Sequence, residues 1–466
     1  MDRERQRRQQ SLKVIISEII MTLTVVVTVV ILALIVSGYW INADFQIERQ
    51  GLLQVYSIPT GATVEIDGSS SWFQRTNASK ILASGEHQIN LTKDGYDSWS
   101  KKIQISEGLL TRLSYPRLFL KERAKENLLD LSGALAAYVS PNREIMLLTN
   151  NTTSWSVISL DRTEIEPKSL DISTIFSSVS VAEDATAGLF TGQIATANWN
   201  RDNTRILFSV QNDIGTEWVL LDVKNPKNST NITKDFGANF DRITIIDNSA
   251  NNLVAIINQK MHKIDVSTKS ISSVIVDDII DYSIHKNEVI FSALDAEQSP
   301  YLAIIKLGDD RIQKLDTIPY AKKAVISEFY EDKYISIMDS NIFSIYEKEN
   351  QEEIATVELT FAPNNIMASR DGSFIFMSLD SKIAVFDMET MSVTEWDTGT
   401  TSFGWLDDHM IYTSLDGELF VYDYDGLNKR QLSKNVSSHF PVALTANKWL
   451  YYFSDDELVR EWLIPR

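Results

Sequence analysis

The sequence predicts an all-β protein with an N-terminal transmembrane helix, a small β domain next to it, and a β-propeller of about eight blades, or seven with one unit shared. Three observations carry that prediction. One uncharged run, Ile19–Ala43, is long enough to cross a bilayer. Short alternating strands broken by Gly and Asp fill the stretch from Gly51 to Leu120. Beyond it, pairs of apolar strands recur at a spacing of about forty residues, the period of a propeller blade.

The first element is the anchor. The 466 residues hold 44 basic and 63 acidic side chains, a net charge of −19. Residues 1–18 are the exception: Arg3, Arg5, Arg7, Arg8 and Lys13 outnumber Asp2, Glu4 and Glu18, which leaves −21 on the rest of the chain. The uncharged run 19–43 follows at once. As a helix it rises about 37 Å, more than the ~30 Å hydrocarbon core. Tyr39 and Trp40 stand at its far end, where amphipathic rings favour the headgroup layer. Basic flanks stay cytoplasmic, so the bulk of the chain is expected on the extracytoplasmic side of the cell membrane. A cleavable signal peptide has a shorter apolar stretch followed by small residues. Val36-Ser37-Gly38 is only a weak candidate for such a cut, and an uncleaved signal anchor is the expectation. No second run reaches eighteen apolar residues, so the chain is read as single-pass.

The second element is a β domain over 51–120. Thr63-Val64-Glu65-Ile66 alternates and stops at Asp67-Gly68, a strong turn signal. Gly85 to Leu91 and Trp99 to Ile105 alternate again, and period-two patterning over so few residues is not a helix face. Pro59-Thr60-Gly61-Ala62-Thr63-Val64-Glu65-Ile66-Asp67-Gly68 resembles the opening of a PEGA domain, and Gly85-Glu86-His87-Gln88-Ile89 with Lys93-Asp94-Gly95-Tyr96-Asp97-Ser98-Trp99 resembles its second half. Thr60 stands where the motif has Glu. The resemblance implies a domain of surface and envelope proteins, with no catalytic machinery. Tyr96 and Trp99 are expected in its core, whereas Trp72 and Phe73, between Asp67 and Asn77, are candidate binding aromatics in a loop.

Lys121–Asn127 reads as a charged hinge to the third element, a propeller over 128–466. Its units begin with strands at Glu144, Thr204, Asn252, Asn287, Asp332, Gly372, Asp408 and Lys448, and partner strands such as Ile383–Asp387 and Leu419–Asp423 close on Asp. A single blade leaves both faces of its sheet bare, and radial stacking covers them. Asn198-Trp199-Asn200-Arg201-Asp202-Asn203 resembles the Trp-Ser-Pro-Asp-Gly turn of TolB-like (WD40-like) propellers, with Asn200 and Arg201 in place of Ser-Pro and Asn203 in place of Gly. Leu419-Phe420-Val421-Tyr422-Asp423-Tyr424-Asp425-Gly426 is similar to the end of such a blade. Past Asn127 no long stretch has the helical period and caps that crossover helices need.

Function is read mainly by exclusion. The acidic balance argues against nucleic acid as partner. Without cysteine there is no disulfide, thiolate nucleophile or cysteine-ligated metal. The five histidines are scattered, and no H-E-x-x-H, G-x-S-x-G or P-loop pattern occurs. The stretch Asp423–Asn428 looks superficially like a calcium loop but lacks the terminal acidic ligand and flanking helices, and reads as a turn. No catalytic, metal or cofactor residues are assigned. Phe176 and Phe190, in the Ser/Ala/Thr-rich stretch Asp171–Gln193, are further candidate binding residues, since long propeller loops often bind. The expectation is a non-enzymatic envelope protein that presents its propeller to an envelope protein or glycan. The alternative is an envelope enzyme acting on polysaccharide or peptide at the propeller axis.

Overall fold

The computed structural model describes residues 17–33, 39–41, 47–180, 188–246, 248–309 and 311–465. The chain divides into two compact units, Met1–Glu122 and Arg123–Arg466.

The first unit opens with helix α1 over residues 17–33. Its Thr22, Thr24 and Thr28 hydroxyls each donate to the carbonyl four residues back at 2.8 Å, so these polar groups are satisfied within an apolar helix. Among the described residues no helix is long and apolar enough to cross a membrane; seventeen helical residues rise about 25 Å, short of the ~30 Å hydrocarbon core. The expectation of a helix continuing to Ala43 is corrected in part. Residues Tyr39–Ile41 form a strand, β1, paired with β2 (Ile47–Val55). Aromatic and β-branched residues favour a strand, and Gly38 just before them disfavours helix.

The rest of this unit is two sheets. Strand β2 pairs β5 (Ala78–Ala83) antiparallel and β8 (Leu110–Leu113) parallel. The second sheet runs β4-β3-β6-β7, with β3 at Thr63–Ile66, β4 at Ser69–Arg75, β6 at Gly85–Thr92 and β7 at Trp99–Ile105. Alternate residues of these strands, among them Leu53, Val64, Ile89, Leu91 and Ile105, meet in one core around Trp99, which is 1% exposed. Trp72 and Phe73, expected in a loop, lie on strand β4 instead; their side chains are outside the described residues.

The second unit is a β-propeller. Eight four-stranded antiparallel sheets follow one another along the chain among the described residues. Sheets 1 to 7 cover 136–171, 193–231, 242–271, 279–314, 323–358, 365–397 and 403–434. Sheet 8 takes three strands from 443–462 and its outermost strand from β9 (Lys125–Asp130) at the start of the unit. Apolar clusters join each of the first five sheets to the next, and a further cluster joins sheet 8 to sheet 1 through Tyr451, Phe453, Met146 and Ile158. Phe376 against Phe403 and Trp405 links sheets 6 and 7, and Ser433 donating to the Tyr452 hydroxyl at 2.8 Å links sheets 7 and 8. The succession of sheets therefore closes on itself.

The strands expected to begin each unit are in fact the second strand of each sheet, for example Asn252–Ile257 and Phe374–Leu379. Second and third strands are covered on both faces by neighbouring sheets, so they read as continuous apolar runs. First and fourth strands are half exposed and carry a weaker signal. The charged hinge is also shorter than expected: Lys121 N–H donates to Gly95 O within the first unit, while Lys125 to Asn127 already belong to β9.

Candidate functional site

First strands lie innermost, because their side chains reach from sheet to sheet. Arg242 donates to Asp281 at 2.8 Å and its guanidinium lies 4.1 Å over the Tyr282 ring; Ser283 Oγ donates to Ala324 O at 2.8 Å. In a meander, every turn from first to second strand falls at the same end of the ring. Three of these turns are built alike. Ser140, Asn200 and Ser369 each accept, through the side-chain oxygen, the N–H of the residue five further on, at 2.8–3.0 Å. The residue three positions on has positive φ in each: Arg143 at 61°, Asn203 at 54° and Gly372 at 77°. The second of these is the segment that resembles a TolB-type turn in sequence, and Asn200, fully buried, does there what Ser does in the other two.

The turns also hold one another. Asn142 N–H donates to Asn203 Oδ1 at 3.1 Å, and Asn200 Nδ2 to Asn248 O at 2.6 Å. Arg370, on sheet 6, donates to Pro141 O on sheet 1 at 3.5 Å. Arg143 lies 3.6 Å from Asp408 on sheet 7, while its carbonyl accepts from Thr445 on sheet 8 at 2.6 Å. Glu328 takes Lys286 at 2.5 Å and His285 at 3.6 Å, and a Cβ on Gly372 would lie 1.8 Å from the Glu328 carbonyl oxygen. Burial pushes the His285 imidazole below its ordinary pKa, outweighing the Glu328 contact that raises it. The charges at this end are thus spent on joining turns. Among the described residues no cluster of His, Asp or Glu could hold a metal ion.

Residues singled out from sequence fall into three groups. Gly61, Ala62, Asp67, Gly68, Gly85, Gly95, Tyr96 and Trp99 flank or open the strands of the first unit, and Pro59 O accepts from Ser57 Oγ at 2.7 Å. In the second unit Trp199 ends the first strand of sheet 2. Asp423, Asp425 and Gly426 form a closed turn in which Gly426 N–H donates to Asp423 O and Leu427 N–H to Asp425 Oδ1. The third group is a correction. Phe176 and Phe190 are 4% and 8% exposed; Phe190 packs edge-on against Phe176 and Trp155, and Phe176 lies tilted against Trp155 and Phe208, between sheets 1 and 2. They are core residues, not exposed binding aromatics.

The two-sheet arrangement of the first unit, with Gly61-Ala62, Asp67-Gly68 and Gly95-Tyr96 at its turns, meets a family match in the same place. Residues 50–117 match the PEGA domain. No curated protein matches the chain. Among solved structures, the Dos1 propeller is 13% identical, at TM-score 0.43, with 73% of this chain and 94% of that one covered. The C-terminal WD40 domain of Sif2 is 13% identical, at TM-score 0.45, with 74% and 99% covered. The β-propeller domain of Myceliophteria thermophila Cps50 (Swd1) is 8% identical, at TM-score 0.38, with 74% and 100% covered. At these scores the likenesses add nothing to what the sheet topology shows of the propeller. In the PEGA domain, sequence reading missed the His87 contacts: Nδ1 lies 2.6 Å from Asp67 Oδ2 and Nε2 lies 2.8 Å from Ala83 O. The signal was present, since Asp67 and His87 are both motif-adjacent, but only the β3–β6 pairing brings them together.

Proposed function

We propose that the protein is a single-pass, membrane-anchored, extracytoplasmic scaffold whose eight-bladed propeller presents binding surfaces to an envelope protein or glycan, without catalysis of its own. In this reading residues 1–18 lie in the cytoplasm, the apolar run that begins at Ile19 crosses the bilayer ahead of β1, the PEGA domain at 51–120 is the spacer, and 128–466 is the display head. The observation that carries it is the closed succession of sheets with turns cross-linked at one end, a rigid body suited to holding a wide surface in one shape. Support for the anchor comes from α1, whose Ile, Leu and Val side chains are about half exposed along its length and need an apolar solvent.

The absence of cysteine gives a direct test. Single-cysteine variants Ser11→Cys and Lys306→Cys are treated in intact cells with a membrane-impermeant maleimide. Labelling of Lys306→Cys in intact cells, and of Ser11→Cys only after lysis, is expected; the reverse pattern removes the localisation. Crosslinking of whole cells is expected to give adducts on the propeller, and their absence removes the scaffold reading.

A further inference from the structure

The facing surfaces of sheets 1 and 2 are not packed along their whole length. In sheet 1 the register places Trp155 opposite Leu170, Val157 opposite both Leu147 and Lys168, and Ser159 opposite Ile145, so all of these share the face toward sheet 2. At one end of that face Leu147, Trp155 and Leu170 are buried, because Ile172, Phe176 and Phe190 of the 171–193 insertion are wedged between the two sheets. At the other end no such filler is present. Sheet 2 also has little outer cover there, since its fourth strand is only Thr230–Asn231, paired with Leu220 and Val219. The result is a cavity of about 860 Å³ with Ile145, Val157 and Val223 in its lining, within the size range of ligand sites.

Five charged side chains surround this cavity. Arg162, Lys168 and Lys224 line it together with Glu164 and Glu166, and among the described residues none of the five forms an ion pair. Lys168 Nζ donates to the Lys224 carbonyl at 3.5 Å, a contact from sheet 1 to the chain just after the third strand of sheet 2. Three basic against two acidic side chains in the lining leave one positive charge in excess, in a body carrying −21.

We propose that this cleft binds an extended peptide segment of a protein partner, one that carries an acidic side chain beside an aliphatic one. The carboxylate sits at Arg162, Lys168 and Lys224, and the aliphatic group sits on the half-buried Ile145 and Val157. Glu164 and Glu166 accept from the N–H groups of the peptide backbone. Those two carboxylates are what decide between ligand classes: they repel a uniformly anionic polymer such as an acidic glycan, whereas a peptide places neutral backbone against them. The lining has no aromatic ring to stack on a sugar, which points the same way. This inference rests on the scaffold reading and narrows it to one surface and one chemistry.

The test uses the full-length protein in detergent micelles, panned against a library of random short peptides displayed on phage. The double variant Lys168→Glu/Lys224→Glu serves as counter-target, and Lys306→Glu, on sheet 4, as control. Enrichment of peptides with adjacent acidic and aliphatic residues is expected. The synthesised consensus is expected to bind the wild type and the control about tenfold or more tighter than the double variant. Three results overturn the proposal: no enrichment over the double variant, enriched peptides that bind it equally well, or displacement of the peptide by oligogalacturonate. Unchanged near-ultraviolet circular dichroism of the double variant shows that its fold is intact. Whole-cell crosslinks found elsewhere on the ring, with no peptide bound here, remove the cleft and leave the scaffold standing.

Discussion

His87 of the PEGA domain shows how one side chain joins two turns. Both ring nitrogens face acceptors, a carboxylate on one side and a carbonyl on the other, and a neutral imidazole has only one N–H to offer. Burial lowers the pKa of the ring, but the Asp67 and Ala83 contacts together outweigh it and the net shift is upward from 6.5. Asp67 shifts downward from 3.8, through its bonds with His87 and the Gln88 N–H, and Lys80 acts on both groups. A raised His pKa contributes stability that is complete below 6.5 and is lost as pH rises through the folded value. A lowered Asp pKa contributes stability that is present above 3.8 and is lost as pH falls through its folded value. The turn at Asp67–Gly68 is therefore held best between those limits. An NMR titration of the His87 ring should give a midpoint above 6.5, and Asp67→Asn should bring it down; a midpoint unchanged by that substitution would show that the pair does not set it. Gly372 is the second residue on which much depends. At φ 77° and in contact with the Glu328 backbone, it leaves no room for a methyl group. Gly372→Ala should lower the free energy of unfolding, read by chemical denaturation, by more than the ~1 kcal/mol of a left-handed residue alone.

At the scale of elements, what could be read from sequence followed burial. The second and third strands of each sheet stand out because their residues are covered on both faces, as in Lys382–Asp387, where five consecutive residues are buried. The outer strands did not, as in Glu353–Glu358, whose residues are half or fully exposed. The Asp residues that end third strands were legible as caps: Asp222 accepts from Lys224 N–H at 3.0 Å and from Asn225 N–H at 2.8 Å, and Asp387 accepts from Glu389 N–H at 2.9 Å. The cleft between sheets 1 and 2 was not legible, because it depends on which face Lys168 shares with Val157, a fact of register. The insertion was misread for a related reason: Ser- and Ala-rich composition signals a loop, while two phenylalanines within it are sufficient to make a core. Phe176→Ala should destabilise the second unit by about 3–5 kcal/mol, as other buried aromatics do. Calorimetry of the full chain would show this as a loss confined to one transition, and a shift below about 1 kcal/mol would contradict the wedge.

For the whole molecule, the decisive contact is between the two ends of the propeller. Arg123 donates to Glu461, whose side chain is fully buried, and to Leu432 O at 2.7 Å. Arg460 donates to Glu126 at 2.8 Å, and the Tyr452 hydroxyl to Glu461 at 3.1 Å. Burial holds the Tyr452 phenol well above its ordinary pKa, so it remains a donor. The stretch read as a charged hinge is charged because it is half of this clasp. Arg123→Ala leaves Glu461 buried with weaker partners and should cost about 3–5 kcal/mol; Arg123→Ala with Glu461→Leu should recover part of that, and no recovery would argue that Arg123 acts through packing alone. Hydrogen exchange of β9 amides is expected to rise before that of the inner strands.

Closure through β9 also sets an order in time. Asn127 and its partner Glu457 are 330 residues apart, so the strand that completes the ring is made first and used last. At a synthesis rate of about 5–20 residues per second, it waits roughly 15 to 65 s for sheet 8 to exist. During that interval its hydrogen-bonding edge is open to any other strand. A factor that holds one short strand, Lys125–Asp130, over that interval would therefore raise the yield of folded protein.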